Sequence, residues 1–344
     1  MKAFLKLYAK IFLFLSPLYI LLMVSLLVRV DAYIYVPGNT DDVSKEVKIE
    51  GYENNKINGQ ISSIYVLEVT RPSLFMVGFA SLFKSSSIVW VTKEEMSQYD
   101  KELDYAVGTF DSKQSFNNAA LAAYEALNKD IDYLQVTYIS LAKKDIVSNL
   151  KYSEIVGCRV KECGGIENPK LSEVSAYLAE RDSATLTLID RKNNEKELTI
   201  SRREDGLYGI TLQTSFILSD SSLISISNVY TSGPSGGAME ALYVYCLLND
   251  IDIVKGRNIS GTGTISYKLD NEGNLETFGK VGAIGCVGQK LYAAYLDKVE
   301  VFYCPDSNYQ ECMKYYALYG FKESDIRVVK VSYLSDIIND LMGE

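Results

Sequence analysis

The chain has 344 residues, 47% apolar and 23% charged, enough for a large core or two domains. Its formal net charge is −9 with no basic stripe, which argues against nucleic acid as a partner. It has no histidine, which excludes Ser-His-Asp and Cys-His catalysis; its six scattered cysteines, without a Cys-x-x-Cys, argue against a disulfide framework and a zinc site and read as structural thiols.

Lys2, Lys6 and Lys10 precede an uncharged, mostly apolar run over 11–28. At ~1.5 Å per residue it covers about 27 Å, close to the ~30 Å hydrocarbon core. The lysines before it, and Asp31, Asp41, Asp42 and Glu46 after it, place the N-terminus in the cytoplasm and the rest outside. A cleavable signal peptide is the rival reading, but the apolar run is long for one and no A-x-A-like site follows. Residues 1–32 are therefore expected to form a cytoplasmic N-terminus and one transmembrane anchor in the cell membrane.

Residues 33–57 are polar, carry Pro37-Gly38-Asn39, and read as a linker. A strand is expected over 61–69, rich in Ile, Val and Tyr, and another over 87–91. The apolar stretch between them, 74–83, is too short to span a bilayer and is expected in a core or on the membrane face. Phe116, Ala119, Ala120, Ala123 and Leu127 fall at helical spacing, predicting a helix over 115–128 with Ser115 as its N-cap.

Over 130–205 the expected order is a strand at 133–139, a short helical turn at 145–150, a strand at 155–160, a helix at 171–178, and a hairpin of 184–189 with 197–200. This order resembles a PDZ domain of the bacterial type. No Gly-Leu-Gly-Phe-like carboxylate loop is evident, and a purely structural α+β module is the alternative. Beyond 206, strands are expected at 209–216, 223–226, 259–266, 299–303 and 326–331. Helices are expected at 237–248, 285–296, 308–319 (ended by Gly320) and 334–341.

The chemistry centres on Gly233-Pro234-Ser235-Gly236-Gly237, where a polar run meets a helix start. Free backbone N–H groups and the helix dipole there favour a developing oxyanion, which suits Ser235 as a nucleophile. By itself the loop is a weak signal, because most such loops are turns in which serine is a cap. Without histidine, the remaining common base for serine is lysine. Lys255, Lys268 and Lys280 lie in polar, turn-rich segments and read as solvated. Lys290 has Cys286, Ala293 and Ala294 as its i−4, i+3 and i+4 neighbours, none acidic. Desolvation without a counter-ion lowers a lysine pKa and leaves an amine able to accept a proton. A snorkelling helix lysine is the plainer alternative.

The loop at 233–237, then Ile259-Ser260-Gly261-Thr262-Gly263-Thr264-Ile265, then the run from Gly279-Lys280-Val281-Gly282 to Lys290-Leu291-Tyr292-Ala293-Ala294 resemble in order the proteolytic domain of Lon-type proteases, over about the last 110 residues. With the N-terminal anchor and the PDZ-like module, the layout is similar to the membrane-anchored PDZ-containing Lon-like proteases of bacteria. The resemblance implies an α+β fold with a Lon-type proteolytic domain over 206–344, a PDZ-like domain over 130–205, and the N-terminal part of an extracytoplasmic catalytic region over 58–129. The PDZ-like module would thus be inserted into a discontinuous catalytic domain. It further implies Ser235 as nucleophile, Lys290 as general base, Thr262 orienting the lysine amine, and backbone amides near Ser235 as oxyanion donors. Gly236 stands where the family usually has alanine, Ala283 and Cys286 depart from its usual turn, and the 264–282 hairpin is longer than usual.

No Gly-x4-Gly-Lys-[Ser/Thr] loop occurs, so no ATPase module is expected, and no cofactor or metal. The resulting expectation is an ATP-independent extracytoplasmic serine endopeptidase acting on unfolded or flexible proteins and peptides, with a homo-oligomer plausible for the family. A catalytically silent, membrane-anchored peptide-binding scaffold is the alternative.

Overall fold

The computed structural model describes residues 2–52, 57–220, 224–226, 233–272 and 275–343. It is a mixed α/β protein with two larger sheets and one long helix that contributes to two hydrophobic cores. The N-terminal run forms α1 (Lys2–Leu27), with Pro17 inside it. Tyr8–Leu27 is long and apolar enough to cross a membrane, and none of it is buried in the protein.

Residues 33–49, expected as part of a linker, belong instead to the folded structure. They begin in β1 (Ala32–Asp42), an inner strand, and continue into β2 (Val47–Ile49). Ala32 and Ile34 face the core, and the Pro37-Gly38 cluster that suggested a turn coincides with a shift of register against the neighbouring strand, between Pro37 and Thr40. A Cβ at Gly38 would stand 2.4 Å from the Tyr65 carbonyl oxygen, so glycine permits the close pairing there. Next come β3 (Gln60–Thr70), α2 (Leu74–Ala80), β4 (Ser87–Trp90) and α3 (Lys93–Gln98).

The helix expected over 115–128 is longer: α4 runs Lys101–Ala126. Its N-cap is Asp100, whose side chain accepts from the Glu102 and Leu103 amides; Ser115 is a buried mid-helix residue instead. The apolar periodicity was misleading because the two halves of α4 pack in different cores. Ala106 joins one, while Phe116, Ala119 and Ala120 join another. No single stripe therefore runs the length of the helix.

Residues 133–218 form an antiparallel sheet with two small helices. Its elements are β5 (Tyr133–Ala142), β6 (Val147–Ser148), α5 (Tyr152–Ile155), β7 (Arg159–Cys163), β8 (Ile166–Glu167), α6 (Leu171–Ala179), β9 (Ser183–Ile189), β10 (Glu195–Ser201) and β11 (Ile210–Leu218). The order is β11-β5-β7-β9-β10-β6, with β8 on β7. The boundary expected at 205 thus falls inside this sheet, since β11 pairs with β5 along its length.

The remaining elements are β12 (Ile224–Ile226), α7 (Gly237–Asn249), β13 (Asn258–Gly261), β14 (Thr264–Leu269), β15 (Leu275–Gly282), α8 (Val287–Leu296), β16 (Val301–Pro305), α9 (Asp306–Tyr319), β17 (Arg327–Val331) and α10 (Leu334–Gly343). The strand expected over 223–226 is β12, on β2; Leu223 lies outside the described residues. The central sheet has the order β17-β16-β13-β3-β1-β4. Its β17, β16, β13 and β3 are parallel, and β3, β1 and β4 antiparallel. Chain from both sides of 133–218 therefore builds one sheet. Phe116 and Ala119 of α4 pack in one core with Met239 and Leu242 of α7, Ile259 and Tyr303.

Candidate active site

The strand expected over 259–266 is broken at Thr262-Gly263, and the break places these residues beside the 233–237 loop. The Gly263 amide donates to the Ser235 carbonyl at 2.9 Å, and the Gly263 carbonyl accepts from Ala238 at 3.0 Å. A Cβ on Gly263 would stand 2.6 Å from Val281, so glycine is required for this approach. On the other side, the Ser115 hydroxyl donates to the Pro234 carbonyl at 2.9 Å. The loop is thus held between α4 and the end of β13, just before α7 begins.

The structure brings Ser235, Thr262 and Lys290 together. The Lys290 Nζ donates to the Ser235 Oγ at 2.6 Å and to the Thr262 Oγ1 at 3.0 Å. The Thr262 hydroxyl in turn donates to the Ser235 carbonyl at 3.2 Å, and its own amide is fixed to the Tyr303 carbonyl at 3.0 Å. Lys290 is only 3% exposed. Burial lowers its pKa to about 8, with the nearby Cys286 thiol weakly opposing. Lys255, Lys268 and Lys280 are exposed, as expected.

The first amides of α7 are engaged within the protein. Gly237 donates to Pro234, Ala238 to Gly263, and Met239 and Glu240 to Gly236. The Ser235 and Gly236 amides are the neighbouring donors at this helix start. Gly236 also has a packing reason. A Cβ there would stand 3.3 Å from both the Ser63 Cβ and the Glu240 Oε1. The site tolerates a larger residue only if both Ser63 and Glu240 give way by a few tenths of an ångström.

Ser235, Gly236 and Lys290 open on a cavity of about 500 Å³ that Ser63 and Glu240 also line. Glu240 is a residue that sequence reasoning missed. It is 6% exposed, and its Oε2 has no hydrogen-bond partner among the described residues. Burial, with Glu46 nearby, pushes its pKa up to about 8. The available signal was its isolation: it is the only charged residue of α7. Asp41 and Glu46 line the same cavity, both raised chiefly by burial.

Cys286 sits before α8 as its N-cap residue, in the left-handed region at φ 59°, with a thiol raised by burial. All six cysteines are free, and the other five are buried. Among the described residues no group of three or more His, Cys, Asp or Glu side chains is arranged to hold a metal ion. No protein family and no curated protein matches the chain.

Proposed function

We propose that the chain is a serine endopeptidase of the Lon-like, membrane-anchored type, acting outside the cytoplasm without ATP. The observation that supports it most is the 2.6 Å approach of a buried lysine amine to the Ser235 hydroxyl. A lysine with a pKa near 8 has an accessible neutral form. In that form one N–H stays on Thr262 and the lone pair faces the Ser235 O–H. The Ser235 Oγ attacks a peptide carbonyl, and its proton passes to Lys290. The tetrahedral intermediate collapses as the C–N bond breaks, and Lys290 returns the proton to the leaving amine. Water then attacks the acyl ester and gives its proton to Lys290; as the C–Oγ bond breaks, Lys290 passes that proton to the Ser235 Oγ and the new carboxyl end leaves. The Ser235 and Gly236 amides are the oxyanion donors in this reading. The Lon-type character of the central sheet, the PDZ-like character of 133–218 and the outward orientation of α1 belong to the same proposal.

A second reading, peptide capture, is favoured by one observation. β11 is the edge strand of its sheet, and beside it α6 leaves a cavity of about 430 Å³ lined by Leu141, Leu178, Leu207 and Ile210. An extended peptide could add to such an edge. A single experiment separates the readings. The wild-type chain should cleave an unstructured protein and label with a serine-reactive probe. Ser235→Ala should abolish both, and Lys290→Ala should lower turnover by at least about 10²-fold. Labelling that survives loss of Ser235 overturns the nucleophile, and binding without any turnover favours capture.

A further inference from the structure

We infer that the segment between β3 and β4 is a membrane seat: a second, non-spanning contact with the bilayer beside α1. Residues 72–92 carry one charge, Lys84. The apolar stretch expected either in a core or on a membrane face is not in a core. Of α2, only Ala80 is buried. Phe79 is 56% exposed, Leu82 75% and Trp90 60%, and Phe75 and Phe83 are exposed as well. The rings of Phe75, Phe79 and Phe83 form a continuous row, with centroids 6.4 and 5.1 Å apart. An apolar, aromatic face of this size on one short segment is out of place in water.

The occupant follows from what lies next to it. The Leu74 amide donates to the Val28 carbonyl and the Val30 amide to the Pro72 carbonyl, both at 3.0 Å. Arg29 and Ser73 form an antiparallel bridge. Thus α2 is hydrogen-bonded to the residues that follow directly on α1, and the two helices pack together. If α1 spans the bilayer, α2 is held at the depth where α1 leaves the hydrocarbon. Aromatic residues at that level are the composition expected of an interfacial element, and Arg29, Arg71 and Lys84 supply cations at headgroup height. β4 continues the contact, because it is the edge of the central sheet and carries Trp90.

The seat limits where the catalytic candidate works. Within β3, Ser63 lines the Ser235 cavity and Thr70, seven residues on, ends the strand at the seat. At ~3.3 Å per residue, the cavity is held within about 30 Å of the surface. The chain is then suited to polypeptide lying along the membrane, and it cannot tumble freely about its anchor.

Trp90 is the only tryptophan in the chain, so its emission reports the seat without substitution. The full-length chain would be reconstituted in phosphatidylcholine vesicles, with and without bromine on the acyl chains. The inference rests on α1 being retained, which the intact mass of the recovered chain reports separately. Bromine near the carbonyl end should lower Trp90 emission by roughly twofold and deep bromine should lower it less, while aqueous iodide has little effect. In Phe75→Ser/Phe79→Ser/Leu82→Ser chain, lipid quenching should be lost and iodide quenching gained. Full iodide quenching of the wild-type chain with none from brominated lipid overturns the seat. Shielding from both quenchers also overturns it, and shows instead that a protein surface covers this face.

Discussion

At the residue scale, Lys290 was legible because a helix lysine with only small or apolar neighbours has nothing local to stabilise its charge. The fold extends that isolation to the whole environment, and burial carries the pKa down to about 8. If Lys290 is the base, kcat/KM should rise about tenfold per pH unit below about 8 and level off above it. A rate still climbing above about pH 10 would contradict a depressed lysine. Cys286, Glu240, Glu46 and Asp41 also titrate around this site. The same profile in Glu240→Gln should keep its limb if Lys290 sets it.

Glu240 has a stability signature of its own, whatever the chain does. Its folded pKa, about 8, lies above the ordinary 4.5, so the native state favours the proton. Stability from this group is complete below about 4.5 and is lost as pH rises through about 8. Glu240→Gln removes that loss. The variant should match the parent near pH 4 and exceed it by an amount on the order of a few kcal/mol above pH 8. Urea midpoints across that range test it, and a pH-independent difference would falsify the buried, neutral carboxyl. Sequence alone could not place Glu240, because α7 is enclosed on nearly every side and so has no solvent face for an acid to occupy.

At the element scale, the most informative departures are strands and helices whose ends were set by neighbours. α4 extends back to Asp100 because its first half is stabilised by a different core from its second. The 259–266 segment splits because Gly263 turns to bond both Ser235 and Ala238. β1 looked like a linker because a strand with a register shift and one partly wet face need not alternate cleanly. Close packing at the end of β13 yields a test. A Cβ on Gly261 would stand 2.8 Å from the Tyr303 Cβ and 2.9 Å from the Met239 Cε. Gly261→Ala should destabilise by about 1–3 kcal/mol through overpacking, read as a lower denaturation midpoint. An unchanged midpoint would show that β13 and α7 are not so tightly apposed.

At the scale of the whole molecule, one sheet is built from chain on both sides of the excursion of 133–218, whose ends meet where the Ser219 amide donates to the Asp132 carbonyl at 2.9 Å. α4 belongs to both cores, and so does β11, which contributes Phe216 to one and packs Ile210 and Leu212 against the other. Neither unit can unfold without exposing the other. Cys158 and Cys163 report one core and Cys246 the other, and all three are buried and free. In increasing urea they should become reactive to a thiol reagent at one common midpoint. Earlier reaction of Cys158 and Cys163 would reveal an independently unfolding insert.

The sequence by itself determined what is local or exclusionary. An uncharged run of adequate length marks the apolar helix, missing histidine removes the usual bases, and periodicity marks α7, α8, α9 and most strands. It also singled out Ser235 and Lys290 from their immediate neighbours, and Thr262 through the resemblance of its segment to the proteolytic domain of Lon-type proteases. Only the tertiary structure decided that these three meet, that β1 is an inner strand and that Glu240 lies in their cavity. It also decided that the aromatic face of α2 stays exposed beside α1. Those outcomes depend on contacts between residues far apart in the chain, where burial is set by what packs against an element and not by its own pattern.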